Sequence, residues 1–158
     1  MFVKKNKTPQ TAKFFAPGEG ESFSMMGIQI SPKLSAEDTG GAYSMLEQIV
    51  SPGGGSPPHI CHADDKSIYV VEGEFDILLG GETKRAQAGS FAIIPRGTVH
   101  SFTNTGAKSG KLLVSLTPAG HEKFLRELSQ YSQDGAPDPE KMATITQTYQ
   151  VEVVSSKE

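Results

Sequence analysis

Residues 53–73 read GGGSPPHICHADDKSIYVVEG, and residues 89–104 read GSFAIIPRGTVHSFTN. Each stretch opens on a glycine and holds apolar runs of strand length. The first stretch also carries three side chains that can bind ions or protons, His59, Cys61 and Lys66. The prolines before His59 favour an extended chain, because residues that precede proline avoid the helical region. The pattern therefore predicts β-strands that hold a small cluster of polar side chains.

Strand signals continue on both sides of these two stretches. They recur about every 8 to 12 residues, which is typical of a sandwich or barrel, and Gly80-Gly81 predicts a two-residue hairpin turn. Weaker signals predict one or two strands near the N-terminus, within residues 14–17 and 23–30, followed by a polar loop at 35–41. The main predicted strands cover residues 42–50, 67–71, 74–79, 82–88, 90–95, 99–104 and 111–117.

The apolar period changes after residue 117. Phe124, Leu125, Leu128 and Tyr131 share one stripe of a helix, and Asp138-Pro139 supplies an N-cap and a first-turn proline for a second helix. We expect both helices to pack outside the barrel. Gly135 and Pro137 fall in the linker, residues 151–158 read as an apolar stub and a polar tail, and the first ten residues and the tail are expected to be mobile.

Composition narrows the class of protein. The 158 residues are enough for one domain, and 17 glycines and 10 prolines favour turns over long helices. A net charge of −3 argues against nucleic acid and acidic membrane surfaces as partners. The single cysteine cannot form an intrachain disulfide, and no signal peptide or spanning helix is apparent, so we expect a cytoplasmic protein.

The two stretches together resemble the motifs of the cupin superfamily, in particular its small single-domain proteins of the quercetin 2,3-dioxygenase type. Four features carry the resemblance: Gly54-Gly-Ser-Pro-Pro-His59, Tyr69-Val-Val-Glu-Gly-Glu74, Pro95-Arg-Gly-Thr-Val-His100 and Thr117-Pro-Ala-Gly-His-Glu122. The resemblance implies an all-β jelly-roll barrel over residues 1–158, with its core at about 42–117 and a helical extension at about 118–150. It also implies a barrel cavity that holds a divalent metal through His, His, Glu and His.

Two of those four ligand positions are altered in this chain. His59 and His100 keep the first and fourth, while Cys61 stands in the second and Lys66 in the position of the glutamate. Imidazole suits Fe, Mn, Ni, Cu or Zn, and a thiolate favours softer ions such as Zn or Cu(I). An ammonium group has no lone pair to offer a metal. His62 becomes an alternative to Cys61 if a bulge turns it inward, and Asp65 would fit the carboxylate position in a shorter spacing.

Lys66 is the candidate for a catalytic or anion-binding residue. In an apolar cavity its amine would have a lowered pKa and would serve as a base, a nucleophile or an anion anchor. The alternatives are an ion pair with a barrel carboxylate such as Glu47, or a side chain that reaches solvent. Tyr69 and Phe91 are predicted to line or support a substrate pocket.

Three classes of function follow from this sequence. One is a metal-dependent oxygenase acting on an aromatic or polyketide-like compound, with the metal held by His59, His100 and either Cys61 or His62. A second is a metal-free cupin that binds a small molecule, as a sensor or as an isomerase or cyclase. The third is a structural barrel filled by its own side chains. A homodimer that shares N-terminal strands is also expected.

Overall fold

The computed structural model describes residues 11–132 and 138–155, and these form two facing antiparallel sheets with helices beside them. The first elements along the chain are β1 (Phe23–Met25), β2 (Ile28–Leu34), a short helix α1 (Ala36–Thr39) and β3 (Ser44–Val50). The remaining strands and helices are β4 (His59–Cys61), β5 (Asp65–Glu72), β6 (Glu74–Leu79), β7 (Glu82–Gln87), β8 (Phe91–Ile94), β9 (His100–Asn104), β10 (Gly110–Thr117), α2 (His121–Tyr131), α3 (Pro139–Thr148) and β11 (Val151–Val153).

One sheet has six strands in the order β1-β2-β3-β10-β5-β8, and the other has five in the order β11-β4-β9-β6-β7. Side chains alternate between the two faces of each strand, so every second residue of β3 and β10 is buried. The inward-facing residues form one core, whose largest fully buried members include Phe75, Ile30, Leu46, Ile68, Ile94 and Leu112. This arrangement confirms the predicted all-β jelly-roll class.

Tight turns join several of the strands. Met26 and Gly27 both have positive φ between β1 and β2, as the favoured hairpin turns require, and Gly80-Gly81 joins β6 to β7 as predicted. Gly55 lies against β9, where an added Cβ would stand 2.0 Å from the carbonyl oxygen of Phe102. Only glycine therefore allows the loop before β4 to approach β9 this closely.

The C-terminal helices pack against the barrel and against each other. Asp138 caps α3 by accepting a hydrogen bond from the Glu140 backbone N–H, with Pro139 in the first turn, as the sequence predicts. The α2 residues Phe124 and Leu128 are buried in the common core. Beyond α3, strand β11 pairs with β4 in antiparallel register, so the end of the described chain supports the strand that carries His59 and Cys61.

Three local predictions need correction. Residues 14–17 form no strand, and Phe14 is almost fully exposed. The predicted loop at 35–41 contains α1, because the Asp38 carboxylate accepts a hydrogen bond from the Ser35 backbone N–H in a capping box. The apolar stub at 151–153 is a strand. The first ten residues, the linker with Gly135 and Pro137, and the last three residues lie outside the described part of the chain.

Among the described helices, none combines the length and apolar character needed to cross a membrane.

Candidate functional site

Three strands bring the predicted cluster together inside the barrel. His59 and Cys61 lie on β4, His100 on β9 and Lys66 on β5, and all four are buried. His59 and His100 face each other across the β4–β9 pair, with ring centroids 4.2 Å apart. The i, i+2 alternation of β4 places Cys61 beside His59, as predicted.

The two imidazoles are held in the same tautomer by backbone carbonyls. Nδ1 of His59 is 2.8 Å from the Pro57 carbonyl oxygen, and Nδ1 of His100 is 2.9 Å from that of Thr98. A carbonyl oxygen only accepts, so each Nδ1 carries the proton and each Nε2 presents a lone pair to the interior. This is the tautomer in which a histidine binds a cation through Nε2.

The Lys66 amine donates hydrogen bonds to the lone pairs of these two Nε2 atoms. Its Nζ lies 2.9 Å from Nε2 of His100 and 3.4 Å from Nε2 of His59. Both Nε2 atoms are acceptors, so the N–H groups of the amine donate to them. Lys66 therefore neither pairs with Glu47 nor reaches solvent, since Glu47 lies on the outward-facing side of β3.

The donor set bears directly on whether a metal fits at the motif positions. His59, Cys61 and His100 do bring three potential ligand atoms within 4.8 Å of one another, so a His/Cys/His metal site is possible in outline. The Nζ atom, however, stands between the two Nε2 atoms that would bind the ion and engages both. A metal therefore does not fit at these positions unless the Lys66 side chain leaves.

Burial sets the protonation of the cluster. Desolvation, followed by the charge of Lys66, lowers the pKa of His59 to about 2 and that of His100 to about 4, so both imidazoles are neutral near pH 7. Desolvation also lowers the pKa of the Lys66 amine, against the opposing effect of Cys61 and Asp64. The pKa of Cys61 is raised, again chiefly by desolvation.

Four further polar residues were not predicted from the sequence. Asp64, just before β5, and His121, the first residue of α2, are both buried next to Cys61, within the reach of its thiol. Ser44 and Gln48 point inward from β3, and the Ser44 Oγ and Gln48 Oε1 atoms have no hydrogen-bond partner among the described residues. Neither motif spacing leads to Asp64, and nothing in the sequence places His121 beside it.

Two predicted metal ligands lie away from the cluster. His62 points outward and its Nε2 is 2.9 Å from Glu152 Oε2 on β11, so no bulge turns it inward. Asp65 is on the outer surface, where Arg96 binds both of its carboxylate oxygens at 3.1 Å. Neither is available to the buried amine or to an ion beside it.

The predicted pocket aromatics also lie outside the barrel. Tyr69 and Phe91 are 42% and 60% exposed and pair in register on β5 and β8, with ring centroids 6.5 Å apart. Tyr69 is three residues after Lys66, and an odd separation on a strand reverses the face. They cannot line a cavity in the interior that holds Lys66.

Residues 46–116 match the cupin domain family. The match covers a little under half of the chain, so this segment is similar to a domain of the cupin superfamily, and the barrel has the same fold. The chain is similar to quercetin 2,3-dioxygenase of Bacillus subtilis (strain 168), with 28% identity over 138 residues, or 87% of this chain and 39% of the relative. It is also 31% identical over 70 residues to polyketide synthase CurC of Streptomyces cyaneus, which covers 44% of this chain and 46% of that protein.

Solved structures share the fold. KdgF from Halomonas sp. superposes with a TM-score of 0.64 at 22% identity, covering 72% of this chain and 99% of that one. The polyketide cyclase RemF from Streptomyces resistomycificus gives a TM-score of 0.60 at 24% identity, covering 68% and 80%. The chain spans about two fifths of the length of the dioxygenase and less than half of the polyketide synthase.

Proposed function

We propose that this protein is a cupin that binds a small molecule inside its barrel and uses the Lys66 amine, in place of a metal ion, as the reactive group. The observation that carries the proposal is the position of Nζ, which is 2.9 Å and 3.4 Å from the two Nε2 atoms that a cupin metal would bind. A lysine at the surface would not be held in this way.

The amine is suited to removing a proton. Burial lowers the pKa of Lys66, which favours the neutral, basic form of the amine. When the neutral amine takes a proton from the ligand, the C–H or O–H electron pair stays on the ligand and Nζ becomes an ammonium. The lone pairs of His59 and His100 stabilise that ammonium, and the ammonium in turn lies beside the new ligand anion. Lys66 is therefore the proposed catalytic residue.

This chemistry favours ligands with an acidic proton next to a carbonyl or on an aromatic ring. The similarity to a polyketide synthase component and the fold shared with a polyketide cyclase support an aromatic or polyketide-like compound. A cyclase or isomerase reaction that begins with proton removal needs no redox step. The class of reaction we propose is therefore proton transfer followed by rearrangement.

Two unpartnered polar atoms support a ligand in the interior. Ser44 Oγ and Gln48 Oε1 are buried on the inner face of β3. Buried polar atoms in native proteins nearly always have a hydrogen-bond partner. Ser44 shares a layer of the sheet with Lys66, because both residues pair in register with Leu116. A polar ligand that reached the amine would thus pass within the same layer as this hydroxyl.

The proposal is tested by hydrogen–deuterium exchange at an acidic carbon. Metal-stripped protein is incubated in D2O with a panel of 1,3-diketones and phenolic ketones, and loss of the C–H signal is followed by NMR. We expect wild-type protein to accelerate the exchange for at least one compound and Lys66→Met, which has similar length and no amine, to abolish the acceleration. Arg85→Ala is the matched control, because Arg85 pairs with Asp76 on the surface.

Elemental analysis of protein purified without a His-tag provides the second arm. Exchange that persists in Lys66→Met, or activity that appears only with a stoichiometric metal lost in both His59→Ala and His100→Ala, would overturn the proposal. The second result would support the metal-dependent oxygenase predicted from sequence, with Fe, Mn, Ni, Cu or Zn as its ion. A single domain over residues 1–158, a homodimer and a cytoplasmic location also remain proposals.

A further inference from the structure

A second cluster of metal-binding side chains lies next to Lys66, outside the four motif positions. Its members are Cys61 on β4, Asp64 before β5 and His121 at the start of α2, and each is at least nine-tenths buried. We infer that Cys61, Asp64 and His121 form a binding site for a divalent ion of the zinc type. The inference does not depend on the proton-transfer function proposed for Lys66.

The distances within this cluster suit a shared ion better than internal hydrogen bonds. One ligand atom from each residue lies within 4.8 Å of the other two. His121 Nδ1 and Asp64 Oδ2 are 3.6 Å apart, which is too long for a good hydrogen bond. It is close to the separation of roughly 3.3–3.7 Å between ligands that the bond lengths of a tetrahedral zinc site imply. Small side-chain rotations would bring the Cys61 Sγ atom to the same separation from the other two ligand atoms.

Asp64 supplies an independent indication of a ligand. Its Oδ1 atom is buried and has no hydrogen-bond partner among the described residues. A buried carboxylate oxygen left without a partner is costly, and an unplaced ion is one of the ordinary explanations. The neighbouring carboxylate of Glu122 differs, since it accepts hydrogen bonds from the backbone N–H groups of Ala36 at 2.8 Å and Gly120 at 3.0 Å. Of these two carboxylates, Asp64 is the one with an oxygen that no described residue engages.

The donor set and its surroundings point to zinc. Thiolate, imidazole and carboxylate are the three ligand types that Zn²⁺ takes in proteins, and a site with three protein ligands keeps a fourth position open. A cleft of about 190 Å³ lined by Asp64, His121 and Tyr149 leads to the cluster, so the open position has a route to solvent. The negative charges of the Cys61 thiolate and the Asp64 carboxylate would balance the divalent charge.

Lys66 is the group that opposes a cation here. Its amine lies beside Cys61, and an ammonium would repel the ion. The two positive groups would therefore compete for the Cys61 thiolate.

The test is a metal titration of the metal-stripped, full-length protein. Zn²⁺ binding is measured by isothermal titration calorimetry, and Co²⁺ is used as a spectroscopic substitute because a thiolate ligand gives it a charge-transfer absorption. We expect one ion per chain and a Co²⁺–thiolate band in the wild type. Asp64→Asn and His121→Ala should each weaken Zn²⁺ binding by at least about 100-fold, since loss of outer-shell partners alone costs 10–100-fold. His59→Ala and His100→Ala keep all three proposed ligands and should retain Zn²⁺ binding.

Several results would overturn the inference. They are the absence of Zn²⁺ binding in the wild type, loss of binding in His59→Ala and His100→Ala with retention in Asp64→Asn, and dependence on all four residues together. Circular dichroism and thermal unfolding check that each variant is folded. If His121→Ala unfolds, Asp64→Asn decides the question, because it keeps the shape of the side chain and removes only its charge. Cys61→Ser is not informative, since Cys61 belongs to both clusters.

Discussion

Lys66→Glu restores the carboxylate that cupin metal sites use, and we expect it to create metal binding at the motif positions. In the wild type the Lys66 Nζ occupies the place that the ion would take, and its protonated form would repel a divalent ion. Two unit charges 4 Å apart interact by about 4 kcal/mol at an effective dielectric constant of 20, so the repulsion is about 8 kcal/mol for a divalent ion. A carboxylate in the same place reverses its sign. Even a quarter of this repulsion of about 8 kcal/mol, which is about 2 kcal/mol, changes a dissociation constant by about 30-fold.

The expected result is a gain of at least about 30-fold in affinity for Mn²⁺, Fe²⁺ or Ni²⁺, measured by calorimetry on metal-stripped protein. The substitution is made in a His121→Ala background, so that binding at the Cys61, Asp64 and His121 cluster does not contribute. Lys66→Met in the same background is the control, because it removes the repulsion without adding a ligand. Its affinity should lie between those of the other two proteins.

The reasoning would be refuted if Lys66→Glu bound metal no more tightly than Lys66→Met. It would also be refuted if the parent protein already bound metal as tightly as Lys66→Glu, because the amine would then not be occupying the site. A metal-dependent rise in the thermal unfolding temperature of Lys66→Glu gives a second readout, since an ion that binds only the folded state stabilises it. A carboxylate buried without an ion is costly, so this rise should be large.

The structure supports three further predictions. Stability should fall as the pH falls below about 6.5, because unfolded histidines take up protons that His59 and His100, with folded pKa values of about 2 and about 4, do not. Between about pH 6.5 and its folded pKa, each of these histidines lowers the free energy of unfolding by up to about 1.4 kcal/mol for every unit by which the pH falls, and urea unfolding at several pH values should show a flatter profile in His59→Gln and His100→Gln than in the wild type. Asn104→Ala should lower the free energy of unfolding by about 2–4 kcal/mol, because this buried amide donates to the carbonyls of Val50 and Lys108 and accepts from the Gly106 N–H. The control is Thr103→Ala at the adjacent, exposed position, which should have little effect. Equal losses of stability in the two variants would contradict the argument. Size-exclusion chromatography with light scattering should give the mass of a homodimer, and a compact monomer would remove that prediction.

Strand positions were predicted well because the signal for them is local. Alternating apolar residues and glycine turns placed the strands from residue 42 to residue 117 within a few residues of their observed bounds. Two elements escaped this signal. The helix α1 is only one turn long and depends on a single capping carboxylate, Asp38. Strand β11 has three residues and exists because it pairs with β4, which lies 90 residues earlier in the chain.

The same difference between local signals and contacts between distant residues explains which site residues could be predicted. The spacing of the two motifs placed His59, Cys61, Lys66 and His100 correctly in slots that face one another, and strand alternation favoured Cys61 over His62. Tyr69 and Phe91 were predicted to line the pocket, but Tyr69 is an odd number of residues from Lys66 on the same strand and therefore lies on the opposite face. Asp64 and His121 meet only in the folded chain, so no local pattern could have paired them.

The histidine tautomers show that the site with Lys66 keeps one property of a metal site, the Nε2 lone pairs directed at a cation. The carbonyls of Pro57 and Thr98 fix the protons on Nδ1, and this leaves the Nε2 lone pairs directed at a positive centre. A metal ion and an ammonium both satisfy them, so exchanging glutamate for lysine keeps a cation-binding centre in the barrel. An amine can also accept and return a proton, but it has no redox couple of its own. The reactions that Lys66 can support are therefore those in which an anion forms on the ligand, which is why proton exchange is the decisive assay.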